Sequence, residues 1–470
     1  MKATLTTARP GLARISPFQR GDSSSLGTDR PRTHRQPLWG ARRHYGSPMG
    51  DRDLSVVVFG ATGVTGRRAA AYLAERAAET GTRWAAAGRD AAKLDRILGE
   101  VGVTAAETIV ADVADPGSLA AMASRTRVVL NFVGPYTLYG EPVVEACVAN
   151  GAHYADLTGE MPFVRRTIDA FHDRAAAAGL KLVHASGFEA LPPDLAVLLA
   201  AETARERWGE ELAEVDLEVD LRQPAGRLGP ADVVSGGTLQ GTAEVLGGEG
   251  AAAIADPAVL IADPEAAAEV RRRSPISLIP RFNARGDVVA PMTPAAFINP
   301  AVIQRTAALL AAERGRRAEP VRYREGVAIR GGPATLPLRY AAAAALGATQ
   351  AGFRLLTRAR PAVRRRATGV LRRILPPSGF GPSDSRLEEW GWQVAVEART
   401  AGGHHVHVDV DADGHPGYLA TARMLGEVGL LLAEDGATPE RAGCLTPATA
   451  LGTARLDRFE RAGVRFSVSS

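Results

Sequence analysis

The chain of 470 residues holds only two cysteines, Cys147 and Cys444, far apart and with no CxxC spacing. A disulfide-built secreted fold is thereby disfavoured, and a cytoplasmic setting is expected. Aromatics make up 5% of residues while Ala, Gly and Arg abound, a bias that reflects genome composition more than physics. The net charge of +4 is small for this length. It shrinks further without residues 1–48, which carry nine Lys/Arg against Asp22 and Asp29. No nucleic-acid footprint follows. There is no G-x-S-x-G elbow, no Ser-His-Asp motif and no phosphate-loop lysine after Gly66, which counts against hydrolases and kinases. Asp409, Asp411, Asp413 and Gly414 imitate a calcium loop, but Ala420 stands where a bidentate glutamate is needed. His404, His405 and His407 have no third ligand at short range and read as a solvated strand face. No metal site is expected.

What is present centres on Val56 to Gly66, VVVFGATGVTG. The apolar run Val56–Phe59 reads as a strand buried on both faces. Gly60, Gly63 and Gly66 follow in G-x-x-G-x-x-G spacing, where any Cβ would obstruct a tight turn and a close ligand. Ala69, Ala70, Tyr72, Leu73 and Ala77 then give a helical stripe. Strand, glycine turn and helix aim unpaired N–H groups at a pyrophosphate. Dinucleotide binding is therefore expected at Gly60, Ala61, Thr62, Gly63, Val64 and Gly66. The next strand ends AAAGRD. Arg89 stands where the adenosine ribose is read, and its paired N–H groups suit a 2′-phosphate, so NADPH is favoured over NADH. A register one residue later would put Asp90 there and reverse that preference.

Further strands end in Ala111-Asp112-Val113 and in Asn131-Phe132-Val133-Gly134-Pro135-Tyr136. Asp112 sits either near the adenine amino group or in the turn towards Asp115-Pro116. Asn131, Gly134 and Tyr136 are expected on the nicotinamide side. Asp194 is expected to cap a helix from Leu195. Tyr136 and Tyr154 are candidate proton donors, with Thr238 a weaker one.

The fold class is α/β: an N-terminal Rossmann domain with a doubly wound parallel sheet, then a second mixed α/β domain, then a C-terminal return to the first. The divisions are 1–50, an Arg-, Pro- and Ser-rich extension expected to be disordered, with Met49 a sensible alternative start; 51–205, the dinucleotide domain; 206–416, the substrate and dimer domain; and 417–470, helices packing back. Glu214 to Arg222 alternates as a half-buried strand, and Trp392–Arg399 with His405–Val410 reads as a hairpin. Residues 340–353 lack charge, and Arg358, Arg360, Arg364, Arg365 and Arg366 follow. That stretch reads either as an Ala-rich packing helix with a solvated basic face or as a segment lying on an anionic membrane.

Several stretches match one family together: VVVFGATGVTG, AAAGRD, NFVGPYTLYGEPVVEAC, GAHYADLTGE, SGFEALPPDL, SGGT at 235–238, GFGPSDSRLEEWGW, GYLATARMLGE and CLTPATALG. Over residues 54 to 466 the sequence resembles the saccharopine dehydrogenase-like oxidoreductases, and within them the trans-acting enoyl reductase branch. The resemblance implies NAD(P)H-dependent hydride delivery to the double bond of an enoyl thioester on a carrier-bound polyketide or lipid chain. It carries over to the glycine turn, to Arg89, and to Asn131 and Gly134. It leaves two alternatives open: an imine reductase on an amino-acid-like substrate, and a nucleotide-binding, lipid-associated protein without turnover. A homodimer and peripheral membrane contact are the further partners considered.

Overall fold

The computed structural model describes residues 52–105, 107–225, 236–248, 250–283, 285–291, 295–374 and 384–469. The extension over 1–50, Ser235, the Thr238 side chain and the 379–383 part of the family stretch lie outside the described residues. The βα alternation forms β1 (Leu54–Phe59), α1 (Val64–Thr80), β2 (Trp84–Gly88), α2 (Ala91–Glu100), β3 (Glu107–Val110), α3 (Pro116–Arg125), β4 (Thr126–Asn131), α4 (Tyr136–Asn150), β5 (His153–Asp156), α5 (Met161–Ala177), β6 (Lys181–Val183) and α6 (Leu191–Trp208). These strands run as continuous apolar stretches because helices cover both faces of a parallel sheet. Glycines in the left-handed region close α1 at Gly81, α4 at Gly151 and α6 at Gly209.

The chain continues through β7 (Leu212–Arg222), α7 (Gly236–Gly247), α8 (Pro264–Arg273), β8 (Arg281–Phe282), β9 (Val288–Ala290), α9 (Asn299–Glu313), β10 (Arg322–Ile329), α10 (Leu336–Thr357), α11 (Pro361–Ile374) and α12 (Asp384–Leu387). It ends with β11 (Gly391–Thr400), β12 (His405–Asp413), α13 (Thr421–Ala433), β13 (Gly443–Leu445), α14 (Pro447–Leu451) and β14 (Val464–Ser469). The first sheet has the order β13-β6-β5-β4-β1-β2-β3 and the second β14-β12-β11-β7-β10-β9-β8. Strand order in the first sheet reverses between β1 and β4, which opens a crevice at their C-terminal ends. Phe59 pairs with both Ala87 and Asn131, so three strand ends stop at one level.

The alternation in β7 resolves as expected. Val215, Leu217 and Val219 point into a core shared with α6 and the first sheet, and Trp392 of β11 meets Phe188 edge-on at 4.8 Å. The C-terminal return is more than helical. Helix α13 packs on α1 and β4. Strand β13 then adds to the first sheet beside β6, and β14 crosses back to the edge of the second beside β12.

Asp194 departs from the expected role. Helix α6 starts at Leu191, so Asp194 already lies in its first turn. Its carboxylate instead accepts the Ala448 N–H of α14 (2.8 Å) and the Thr306 hydroxyl of α9 (2.6 Å). It thus satisfies a helix terminus some 250 residues away in sequence. Burial pushes its carboxyl up to about 7.

Candidate functional site

Gly60 has φ +91, the left-handed region open to glycine. Its N–H and that of Ala61 donate to the Ala87 carbonyl at 2.9 and 3.3 Å, which pins the turn against the end of β2. A Cβ on Gly66 would overlap the Gly60 carbonyl oxygen, so α1 can start this close to β1 only with glycine there. Gly63 is exposed at the N-cap of α1, and no side chain caps that terminus. The first N–H groups of α1 therefore have no partner from their own helix and stand beside a bare glycine surface. This cradle fits a dinucleotide pyrophosphate.

Beyond β2, Asp90 has a structural role in capping. Asp90 is the N-cap of α2 and accepts the Lys93 N–H at 3.0 Å. Arg89 is exposed beside it. Asp112 makes a turn, with its Oδ1 accepting the Ala114 N–H at 2.9 Å and its own N–H donating to Ser118. The turn alternative is the one built at Asp112, and an adenine contact is not needed to explain it.

The β4–β5 side corrects the expected proton donors. Tyr154 is wholly buried, and its hydroxyl accepts from Asn131 Nδ2 (3.1 Å) and donates to Asp156 Oδ2 (2.9 Å). The Tyr136 hydroxyl, also buried, donates to the Asn131 carbonyl at 2.9 Å. Burial, and then the Asp156 charge, push both phenols far above their ordinary range. Both hydroxyls are engaged by partners within the protein. Asn131 is buried too, its Oδ1 accepting the Val133 N–H at 2.9 Å. It shapes the 131–135 loop and presents no free side-chain group, whereas Gly134 is exposed at the loop's tip. His184 Nδ1 completes the cluster, 2.8 Å from Asp156 Oδ2. Pro135 cannot cap α4. Glu160 from the next loop does so, accepting the N–H groups of Tyr136 (2.9 Å) and Thr137 (2.7 Å).

Residues 56–183 match the saccharopine dehydrogenase NADP-binding domain. A Mycobacterium ulcerans protein named trans-acting enoyl reductase is 34% identical over 433 residues, covering 89% of this chain and 98% of its own. The chain belongs to the saccharopine dehydrogenase family. A Mycobacterium tuberculosis relative, given the same activity name provisionally, is 35% identical over 429 residues, covering 88% of this chain and 97% of its own. The apo saccharopine dehydrogenase (L-Glu forming) of Saccharomyces cerevisiae aligns over 89% of this chain and 100% of its own, with a TM-score of 0.48 and 15% identity. The first domain of this family member is thus an NADP-binding Rossmann domain, and the protein is an NAD(P)-binding oxidoreductase.

Two carboxyls of this saccharopine dehydrogenase family chain escaped the sequence reading. Glu189 follows β6 with its carboxylate close to Gly187, and burial raises its carboxyl. Glu325 of β10 shares the face of Tyr323, turned towards α6. The Tyr323 hydroxyl (2.6 Å) and Asn299 Nδ2 (2.8 Å) both donate to its Oε2. Its Oε1 and Asn299 Oδ1 are buried without partners. Ile298, next to Asn299, packs against Gly159 in the loop after β5. Burial pushes Glu325 up to about 7. The sequence signal was faint: a glutamate between Tyr323 and Val327 in an otherwise half-apolar strand.

Proposed function

We propose that this chain is an NADPH-dependent enoyl reductase acting on an enoyl thioester of a polyketide or lipid chain held on a carrier protein. The observation that carries the reading is the nearly full-length match to relatives named trans-acting enoyl reductase, together with a dinucleotide cradle beside which Arg89 is exposed while the neighbouring Asp90 is engaged in capping α2. When bound, NADPH supplies the hydride that reduces the double bond at its β-carbon. The protein's part is to hold the cofactor against the glycine turn, to pair the 2′-phosphate with Arg89, and to supply a proton. Glu325 is the proposed source. Both of its donors address Oε2, which leaves Oε1 as the oxygen able to carry an acid proton for the α-carbon of the enolate once bound substrate reaches it.

Fluorescence titration tests the cofactor. Arg89→Ala is expected to weaken NADPH binding roughly ten- to a hundredfold, in line with loss of a charged phosphate contact of about 1.5–3 kcal/mol, while NADH binding stays nearly unchanged. Equal loss for both cofactors would remove Arg89 from the 2′-phosphate.

Turnover with enoyl thioesters, read as NADPH oxidation, tests the acid. Glu325 acts in its protonated form, which is present below about pH 7 and lost above it, so kcat is expected to fall as pH rises through that value. Glu325→Gln keeps the shape and the neutral charge. It is expected to lower kcat about 10²- to 10⁴-fold and to abolish that alkaline limb. Parent-like turnover in Glu325→Gln would transfer the role to Glu189 or to solvent.

A further inference from the structure

Helix α10 is built the wrong way round for a helix in water. The residues it buries include Arg339, Gln350 and Thr357, with Ala343 and Gly347 between them. Arg339 donates to the Ile329 and Gly332 carbonyls and Gln350 to the Pro291 carbonyl. Its outward face is mostly apolar: Leu338 is 73% exposed and Leu355 70%, exposed alanines with Thr349 and Gly352 lie between them, and the part-exposed Tyr340 and Leu346 flank the face. Gly347, on the inward face, packs on the Leu278 carbonyl, and the next residue of that loop, Ile279, is 75% exposed. Phe282 stacks on Tyr340. Lone exposed apolar residues need no explanation, but a contiguous band along a helix about 33 Å long does.

The segment that carries this band has charge of one sign. Between Glu325 and Asp384 there is no acidic residue and there are ten arginines. Arg364 and Arg372 of α11 are tied to Gly248 and Glu244. Arg358, Arg360, Arg365, Arg366 and Arg373 are exposed and make no ion pair among the described residues. A symmetric contact with a second copy would set this patch against itself, apolar to apolar but arginine to arginine, with no carboxylate in the segment to offset the repulsion. The occupant must be apolar at its centre and anionic beside it. No helix among the described residues is long and apolar enough to cross a membrane.

We propose that the α10–α11 surface docks on an anionic phospholipid bilayer. Helix α10 lies in the interface with Leu338 and Leu355 among the acyl chains, and the α11 arginines sit at the headgroups. This inference is independent of the enoyl reductase reading.

The test is cosedimentation of the full chain with vesicles of phosphatidylcholine alone and of equimolar phosphatidylcholine and phosphatidylglycerol. Binding is expected to the anionic vesicles, little to the zwitterionic ones, and less as salt rises. Arg365→Glu with Arg366→Glu is expected to weaken partitioning at least about tenfold, since each cation near such a surface is worth about 1 kcal/mol. Leu338→Gln with Leu355→Gln is expected to weaken it comparably by removing the apolar part. All four positions are exposed, so circular dichroism and the thermal midpoint should match the parent. Absence of binding to the anionic vesicles overturns the proposal, as does binding that neither variant alters. A concentration-dependent dimer that Leu338→Gln abolishes would assign the band to a second copy, and capture of a soluble acidic carrier in place of vesicles would assign it to that protein.

Discussion

Gly66→Ala is expected to lose dinucleotide binding by about a hundredfold or more and to unfold at lower temperature. The added methyl would overlap the Gly60 carbonyl oxygen and come within 3.0 Å of the Gly60 carbonyl carbon and 3.2 Å of Ala61 Cα. All three are backbone atoms, so no side-chain rotation relieves the contact. The turn cannot retreat either, because the Gly60 and Ala61 N–H groups hold it to Ala87. Helix α1 must move instead, carrying away the N–H groups that face the pyrophosphate. A displacement near 1 Å at such a contact costs on the order of 10²-fold, and overpacking adds about 1–3 kcal/mol of instability. The control is Gly81→Ala at the far end of α1. There the Cβ meets open space, so only left-handed strain of about 1–2 kcal/mol remains and cofactor affinity should hold. Titration with NADPH and a thermal melt on both variants decide the matter. Parent-like affinity in Gly66→Ala would mean that the ligand does not use this turn.

The second large effect is at Glu427, far from the cofactor. Its carboxylate is wholly buried on α13. Oε1 accepts from the Tyr72 hydroxyl and from Arg76 Nε, both at 2.6 Å. Arg458 lies 3.3 Å from Oε2, at ion-pair range but outside hydrogen-bond geometry. Arg76 is itself buried, and its other partner, Glu79, is half exposed. Glu427→Ala leaves the Arg76 guanidinium in the core with one partial, solvated counter-charge and leaves the Tyr72 hydroxyl without an acceptor. Breaking a buried pair from one side costs about 3–5 kcal/mol. The expected result is a thermal midpoint lower by several degrees and a lower urea midpoint. Glu427→Gln, which keeps an acceptor for Tyr72, should fall between parent and alanine. A midpoint for Glu427→Ala within a degree of the parent would show that α13 is held by its apolar face alone, through contacts such as Gly429 on Leu130.

The parts of this protein that could be read from sequence are those whose signal is local. The glycine spacing after Val56–Phe59, the alternation in β7 and the β11–β12 hairpin each carry their own periodicity, and each forms where expected. The register at Arg89 needed structure, because a capping aspartate and a ribose-reading aspartate look alike until Lys93 is seen donating to Asp90. Tyr154 was misread for a geometric reason. Sequence places it near a strand end, but not on the side that turns inward to Asp156. Asp194 was read as a cap of its own helix, and Glu325 was missed, because their partners Ala448 and Asn299 are distant in sequence. Three residues such as Gly443–Leu445 have no strand signal of their own and become one only against β6. Helix α10 was legible as alanine-rich and, from 340 to 353, uncharged. Its inverted burial was not, because the polar residues it buries are satisfied by carbonyls from 329–332 and by Pro291.

The crossing of the C-terminal segment between the two sheets has a consequence for how the protein is made. Strand β6 gains its outer neighbour only when residues 443–445 arrive, and β12 only when 464–469 do. A ribosome will therefore have synthesised most of the chain before either sheet is complete, with the β6 edge open to other nascent chains meanwhile. A message cut short after β12 would yield both domains in outline, each with an unprotected edge and neither with α13 to cover β4. Quality control should meet such a product as an aggregation hazard.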